Sequence, residues 1–328
     1  MKDTAFITGA SGFIGSHLAD FLLQKGWKVI CLVRPSSNLQ WLKDKPVTVL
    51  SADISEREKI SPLVSESTHI FHLAGVLFGK DREEYIQGNL EYTKRLLNLI
   101  KTAKPNLKRF LYVGTLASAG PSENGKLPDE SDELKPITWY GESKALAENF
   151  LKENIGEIPL TVIRPPVVYG PRDYAMFELF KASRLGLNLI PGNKNKYISI
   201  IYIKDLIQGI YDACISETTI GRTYFLANEE YCPQYHLGEI IIRKMNRNPV
   251  NIVVPWIIMR AVSNLLDFFG KLFGKKVILN RQKLLEIGQN YWICSSARAK
   301  ADFGFQAETK LEDGIAETLK WYKENRWL

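Results

Sequence analysis

The sequence predicts an α/β architecture, with a doubly wound parallel sheet and a smaller, mainly helical C-terminal lobe. Short apolar runs rich in Val, Ile, Phe and Leu recur through the first half, separated by stretches of helical periodicity. The runs are continuous rather than alternating, as strands covered on both faces require. The 328 residues, 45% of them hydrophobic, are ample for a large core and a second lobe.

In chain order, strands are expected at 4–8, 28–33, 47–50, 69–73, 109–114 and 160–164. Helical patterns lie between them near 14–25, 56–65, 83–103 and 140–154. Such a series gives right-handed crossovers and a ligand crevice at the carboxyl ends of the strands. After Pro165-Pro166 the pattern loosens. A helix is expected near 174–185, a strand near 198–202, a helix near 204–215 and a strand near 223–227. Residues from about 234 onward look mainly helical. The sheet domain is therefore assigned to 1–165, with 199–228 returning to it. The second lobe, expected to bind substrate, is assigned to 166–198 and 229–328.

Composition narrows the function classes. The formal net charge is +7, and a small anionic ligand or a solvated surface accounts for it without nucleic acid. Cys31, Cys214, Cys232 and Cys294 form no CxxC pair and read as reduced thiols. The four histidines show no metal-ligand spacing, so no metal is expected. The first strand begins at once, without a hydrophobic leader, so a cytoplasmic protein is expected.

The most specific stretch is Thr8-Gly9-Ala10-Ser11-Gly12-Phe13-Ile14-Gly15. A strand that turns through glycines into a helix N-terminus makes a pyrophosphate site, because the helix N–H groups and dipole favour negative charge. Gly9 serves the tight turn, Gly12 the close approach of backbone to phosphate, and Gly15 the packing of helix on strand. The fold is thus expected to be Rossmann-type, with Gly9, Ser11, Gly12, Phe13, Ile14 and Gly15 around a dinucleotide. Arg34 follows the second strand, where an acidic residue would hold a ribose 2′-hydroxyl and Arg accommodates a 2′-phosphate. NADP is therefore preferred over NAD, the bland alternative being a surface arginine. Asp53, with Ile54, follows the third strand and can face the adenine, or else cap the next helix. Leu73, Ala74 and Gly75 end the fourth strand where backbone can lie along the coenzyme, while His72 reads as structural.

Tyr140 and Lys144 are four apart on a helical pattern, so both side chains lie on one face. A phenol titrates near ~10, too high for efficient acid–base work at neutral pH. A neighbouring ammonium and an oxidised nicotinamide would bring it down. Thr115, at the end of the fifth strand, can donate to a substrate oxygen, with Ser118 as the nearby alternative.

These motifs resemble those of the extended short-chain dehydrogenase/reductases, the NAD-dependent epimerase/dehydratase family. The match runs through Thr8–Gly15, Asp53, His72–Gly75, Gly88-Asn89-Leu90, Thr115, Tyr140–Lys144, Arg164–Pro171 and Tyr202–Leu206. The closest likeness is to its 3β-hydroxysteroid dehydrogenase-like and dihydroflavonol 4-reductase-like branch, through Leu32-Val33-Arg34-Pro35, Pro165-Pro166 and the tryptophan-rich ending. The resemblance implies Tyr140 as acid/base, Lys144 as its partner on the nicotinamide ribose, and Thr115 as hydroxyl donor. It also implies Pro165 to Val167 as a strip beside the nicotinamide, with Pro165 and Val167 in contact. Thr115 stands where Ser is commoner.

Two marks bear on the substrate. Sugar epimerases of the family place a diphosphate-binding arginine where this chain has Ile198, although Lys194 and Lys196 are close by. The segment 255–274 is amphipathic and too charged to span a membrane. It fits a core helix, a substrate wall, a dimer face or shallow membrane contact. The expectation is an NAD(P)-dependent oxidoreductase acting on a carbonyl or secondary alcohol of a fairly apolar small molecule, as a homodimer. A nucleotide-sugar 4-epimerase or dehydratase with retained NAD is the alternative, and a non-catalytic coenzyme-binding protein a further one.

Overall fold

The computed structural model describes residues 2–273 and 280–328, with the backbone alone over 267–273. The first six strands are β1 (Thr4–Thr8), β2 (Lys28–Val33), β3 (Thr48–Ser51), β4 (His69–His72), β5 (Arg109–Val113) and β6 (Leu160–Arg164). They lie where the apolar runs place them. Beyond them come β7 (Val167–Tyr169), β8 (Leu187–Pro191), β9 (Tyr197–Ile198), β10 (Ile200–Tyr202) and β11 (Arg222–Phe225). The last strands are β12 (Cys232–Pro233), β13 (Val250–Val254) and β14 (Tyr291–Trp292). One seven-stranded sheet runs β11-β6-β5-β4-β1-β2-β3, every pair in it parallel. This is the Rossmann order 3-2-1-4-5-6 with one strand added beyond β6.

The helices of the first half are α1 (Phe13–Gln24), α2 (Arg57–Ser65), α3 (Arg82–Tyr85), α4 (Tyr92–Ala103), α5 (Leu116–Ala119) and α6 (Trp139–Asn154). They are followed by α7 (Tyr174–Ser183), α8 (Ile203–Ile215), α9 (Gln234–Lys244), α10 (Trp256–Phe273), α11 (Arg281–Gly288), α12 (Ala297–Phe303) and α13 (Leu311–Glu324). Side chains alternate along each strand, so the two sheet faces feed two cores. Ala5, Ile7, Cys31 and Leu111 pack with Leu18 and Leu22 of α1 and Leu206 and Ile210 of α8. Phe6, Ile30, Ile70 and Phe110 pack on the other side with α2, α4 and α6. Continuous apolar runs, buried on both faces in β1, β4, β5 and β6, are the cause of the parallel sheet, whose edge strand β3 is mostly exposed.

Two expectations need correction. The helix expected over 83–103 is interrupted: α3 passes through a π-helical turn, Ile86–Glu91, before α4. Gly88 and Asn89 are poor helix formers, each costing up to about 1 kcal/mol. Leu96, Leu97, Leu99 and Ile100 are fully buried one turn on, each worth roughly 1.5–3 kcal/mol, and hold the helix together. The strand expected over 198–202 is split at Ser199 into β9 and β10, and neither joins the main sheet. β10 pairs with β7, and β9 lies between β12 and β14. The main sheet is rejoined by β11 alone. The stretch after 234 is mainly helical, as expected, through α9 to α13, with two short strands in it: β13 pairs with β8 and β14 with β9.

Of the four thiols, Cys31, Cys214 and Cys294 are buried and Cys232 half-buried, all unpaired. Among the described residues no helix is long and apolar enough to cross a membrane.

Candidate active site

Every motif singled out in the first half of the sequence sits at the carboxyl edge of the main sheet. The glycine loop follows β1, and Leu73, Ala74 and Gly75 follow the adjacent β4. The two loops are stitched by Leu73 N–H to the Thr8 carbonyl at 3.1 Å and Ala74 N–H to Thr8 Oγ1 at 3.2 Å. Arg34 follows β2, Asp53 and Ile54 follow β3, Thr115 follows β5, and Pro165 and Val167 follow β6.

The glycine loop shows the constraints its chemistry requires. Gly9 adopts φ +77°, and a Cβ there would lie 2.7 Å from the Ala74 nitrogen. A Cβ on Gly15 would meet the Gly9 carbonyl oxygen at 2.2 Å, so the first turn of α1 rests directly on the loop. Gly12 is exposed and stands at the N-cap of α1, where no side chain caps the free N–H groups. A loop that leaves no room for side chains and points uncapped helix N–H groups outward fits a dinucleotide pyrophosphate. Ser11, Phe13 and Ile14 are half-buried around it.

At the adenosine end, Arg34 is exposed on a turn closed by Arg34 N–H to Ser37 Oγ at 3.1 Å. Asp53 Oδ1 accepts from the Ser55 N–H and hydroxyl at 2.9 and 2.6 Å, which turns the chain into α2. Those two bonds hold its carboxyl below the usual range, with smaller help from the charges of Arg95 and Arg34. Asp53 therefore has the helix-entry role, and its exposed carboxylate still faces the crevice edge between arginines. Ile54 is only 2% exposed and lies in the core, leaving its backbone alone for contact. His72 is structural: fully buried, it bonds Thr8 and Thr93 at 2.8 Å each, and burial pushes its pKa well down.

Tyr140 stands in the first turn of α6, whose N-cap Thr138 accepts from Gly141 N–H at 3.1 Å. A Cβ on Gly141 would press to 2.4 Å of the Ala117 carbonyl oxygen, so α6 packs directly on α5. That close approach sets Tyr140 near Thr115, whose hydroxyl works to lower the phenol's pKa. Thr115 itself caps α5, accepting from Ala117 N–H at 3.2 Å, and stays half-buried. Ser118, the alternative, is fully buried with its hydroxyl unpartnered. Lys144 is 4% exposed. Its Nζ donates to the Val113 carbonyl at 2.8 Å and lies 4.2 Å from the Tyr112 ring centroid.

The electrostatics depart from expectation. Burial pushes the Tyr140 phenol up to about 12, against the lowering bond from Thr115. Burial likewise pulls Lys144 down to about 7, with Glu148 opposing. Burial is the largest influence on both groups and favours the neutral form of each. Glu148, one turn on, is itself buried. Burial would raise it, but the Arg164 fork at 2.6 and 3.1 Å and Lys152 outweigh that and hold it low.

Sequence reasoning missed the support beneath this site. Asn89, buried in the π-helical turn, accepts from Val76 N–H at 2.7 Å and donates to the Val76 carbonyl at 3.2 Å and to Ser143 Oγ at 2.8 Å. Ser143 in turn donates to the Tyr140 carbonyl at 2.8 Å. The available signal was a polar Asn beside Gly88 inside a helical pattern.

Behind the site, Pro165 is buried, its carbonyl accepting from Leu116 N–H at 2.9 Å, while the Val167 side chain is 40% exposed. Gln282 of α11 accepts from Trp139 N–H at 2.8 Å, which ties α11 to the start of the catalytic helix. Ile198 is buried in β9 at 8% exposure. Lys196 is buried as well, its Nζ bonded to the Ile287 carbonyl and lying over the Trp256 ring.

Comparison with known proteins agrees with this geometry. The family model described as NAD dependent epimerase/dehydratase family matches residues 5–224. The chain is 28% identical over 341 residues to a 3-beta-hydroxysteroid dehydrogenase of Mycolicibacterium neoaurum, covering 97% of this chain and 91% of that one. It is 25% identical over 329 residues to the 2-alkyl-3-oxoalkanoate reductase of Shewanella oneidensis, covering 95% and 84%. In fold it is similar to the UDP-glucose 4-epimerase of Thermotoga maritima solved with UDP-glucose, with a TM-score of 0.80 at 19% identity over 98% and 99% of the two chains. A parallel sheet in Rossmann order, a glycine loop that no side chain could enter and a family match along most of the chain converge: the protein belongs to the NAD-dependent epimerase/dehydratase family and is an enzyme of the extended short-chain dehydrogenase/reductase type.

Proposed function

We propose that this enzyme is an NADP(H)-preferring reductase/dehydrogenase for a carbonyl or secondary alcohol on a fairly apolar small molecule. The observation that carries the reading is the placement of Tyr140 beside Thr115 at the sheet edge, where α6 packs directly on α5, with Lys144 buried one helical turn behind. Bound on the glycine loop, the dinucleotide supplies or takes up the hydride at the substrate carbon. Tyr140 completes the exchange, its phenol delivering a proton to the carbonyl oxygen in reduction and recovering it in oxidation. A phenol held up at about 12 is protonated at neutral pH, as the reductive direction needs. Thr115 offers a second donor to the same oxygen, where charge develops. Lys144, whose amine donates to the Val113 carbonyl, would serve the nicotinamide ribose from behind Tyr140, as the resemblance implies.

An apolar substrate is supported by the surroundings. Leu77, in the loop after Gly75, and Leu285 of α11 are 51% and 44% exposed. The names of the two relatives speak of a hydroxysteroid and of an alkyl oxoalkanoate. The nucleotide-sugar alternative lacks a partner for two phosphates at position 198, and Lys196 is already engaged. A screen of ketones, sterols, flavonoids and nucleotide sugars with both coenzymes tests the assignment, alongside calorimetry with UDP and dTDP nucleotides. Coenzyme-dependent turnover of an apolar ketone is expected. Micromolar nucleotide binding competitive with substrate overturns it in favour of an epimerase.

Coenzyme choice is expected to rest on Arg34. Replacing it by Asp removes the partner of the 2′-phosphate and adds repulsion. NADP(H) binding should weaken roughly ten- to hundredfold while NAD(H) holds or gains. Fluorescence titration of both coenzymes decides it, and unchanged selectivity would reduce Arg34 to a solvated side chain.

A further inference from the structure

Helix α10 leaves a broad apolar face outside. It is anchored inward by Trp256 and Met259, beside Ser263, which is fully buried with an unpartnered hydroxyl. Ile257, Ile258, Val262, Leu265 and Leu266, however, are between 39% and 77% exposed, with Arg260 among them. A helix wholly stabilised by its own core would turn such residues inward. The side chains of 267–273, including Asp267 and Lys271, and residue Gly274 lie outside the described residues.

The ribbon that leads into α10 repeats the pattern. β13 ends at Val254 and α10 starts at Trp256. Leu187 pairs with Val250 and Leu189 with Ile252 across the parallel β8–β13 ladder, and all four are 37–56% exposed. The polar Asn188 between them is buried, bonded to Asn251 and to the Tyr235 carbonyl. Exposed apolar surface of this extent marks a contact site.

The charge of the chain identifies what covers it. Residues 243–283 hold nine Lys and Arg against the single Asp267, and 243–266 contain no acidic residue. The whole chain carries only +7, so this segment accounts for the entire excess. An isologous contact between two copies would set this basic segment against itself. An apolar face that carries the exposed Arg260 and belongs to a basic segment instead matches a bilayer with anionic headgroups.

We propose that the outward face of α10, with the adjoining β8–β13 ribbon, docks on the surface of anionic phospholipid membranes without crossing them. The docked helix packs on α11, which holds the first turn of the catalytic helix through Gln282 and Trp139. Contact with the bilayer therefore lies one helix away from Tyr140, on the side by which a lipid-dissolved substrate would arrive.

Flotation of the full-length protein with vesicles tests this. Wild type is expected to float with phosphatidylglycerol-containing vesicles and not with pure phosphatidylcholine, the binding falling with added salt. The double variant Ile258→Asp/Leu265→Asp changes exposed positions only, and its melting temperature and NADPH titration report that fold and coenzyme site are intact. It should lose vesicle binding at least tenfold by the loss of apolar insertion. Arg260→Glu should weaken it roughly tenfold. Absence of wild-type binding to anionic vesicles, or binding unaltered in the double variant, overturns the proposal. So does a stable dimer in solution that the double variant splits while vesicles are ignored, since the face would then belong to a second copy.

Discussion

Tyr140→Phe is expected to lower kcat by about 10²–10⁴-fold, the ordinary worth of a positioned acid/base. Coenzyme affinity should stay within a factor of about two to three, because the ring and its packing persist and only the hydroxyl is lost. Tyr140 and Thr115 both lie beyond β5, away from the glycine loop after β1. The separation of the two measurements is the content of the prediction. A variant that kept more than a tenth of wild-type turnover on an identified substrate would remove Tyr140 from the chemistry. Equal loss of NADPH binding would show instead that the substitution had disturbed the first turn of α6.

Lys144→Met should abolish turnover and, without coenzyme, make the protein more stable at neutral pH. Burial draws the Lys144 ammonium down from 10.5 to about 7. Below about 7 the folded state must hold a buried cation, and the destabilisation is fully present. It fades as pH rises from about 7 toward 10.5, where the unfolded chain also loses its proton. At about 1.4 kcal/mol per unit, the wild-type handicap near pH 6–7 is of the order of 4–5 kcal/mol. Met fills similar space but leaves the Val113 carbonyl unpaired, a cost of roughly 1–3 kcal/mol. The net gain should be about 2–3 kcal/mol near pH 6.5 and should change sign by pH 10. Urea melts of both proteins across that range measure it. A variant less stable at every pH would mean that Lys144 resides there as a well-solvated cation.

The sheet was legible because burial on both faces leaves a plain mark, an unbroken apolar run, in the central strands β1, β4, β5 and β6, while the edge strand β3 is mostly exposed. Gly9 and Gly15 were legible because backbone that touches backbone admits no other residue. Tyr140 and Lys144 stood out through helical spacing, yet spacing says nothing of which neighbour a long side chain meets. Hence the turn of Lys144 toward Val113 could not be foreseen. Asn89 was named with Gly88 and Leu90 in the family likeness, but its clasp on Val76 and Ser143 escaped because a π-helical turn breaks the periodicity that would display it. The break at Ser199 escaped because a two-residue strand has no pattern of its own. For 255–266, periodicity revealed an apolar stripe correctly but not its direction. A stripe toward the core and a stripe toward the outside have the same sequence.

The clasp made by Asn89 has a mechanical meaning. One side chain grips Val76, on the stretch along which coenzyme would lie, and Ser143, on the turn that carries the phenol. On the proposed mechanism, the coenzyme on one side and the phenol on the other would thereby be referred to a common datum. A displacement imposed at Val76 passes to Tyr140 through three short bonds, to Asn89, from Asn89 to Ser143 and from Ser143 to the Tyr140 carbonyl, with no loop between them to absorb it. The two halves of that reaction would share a single alignment rather than two that must be brought into agreement at each turnover.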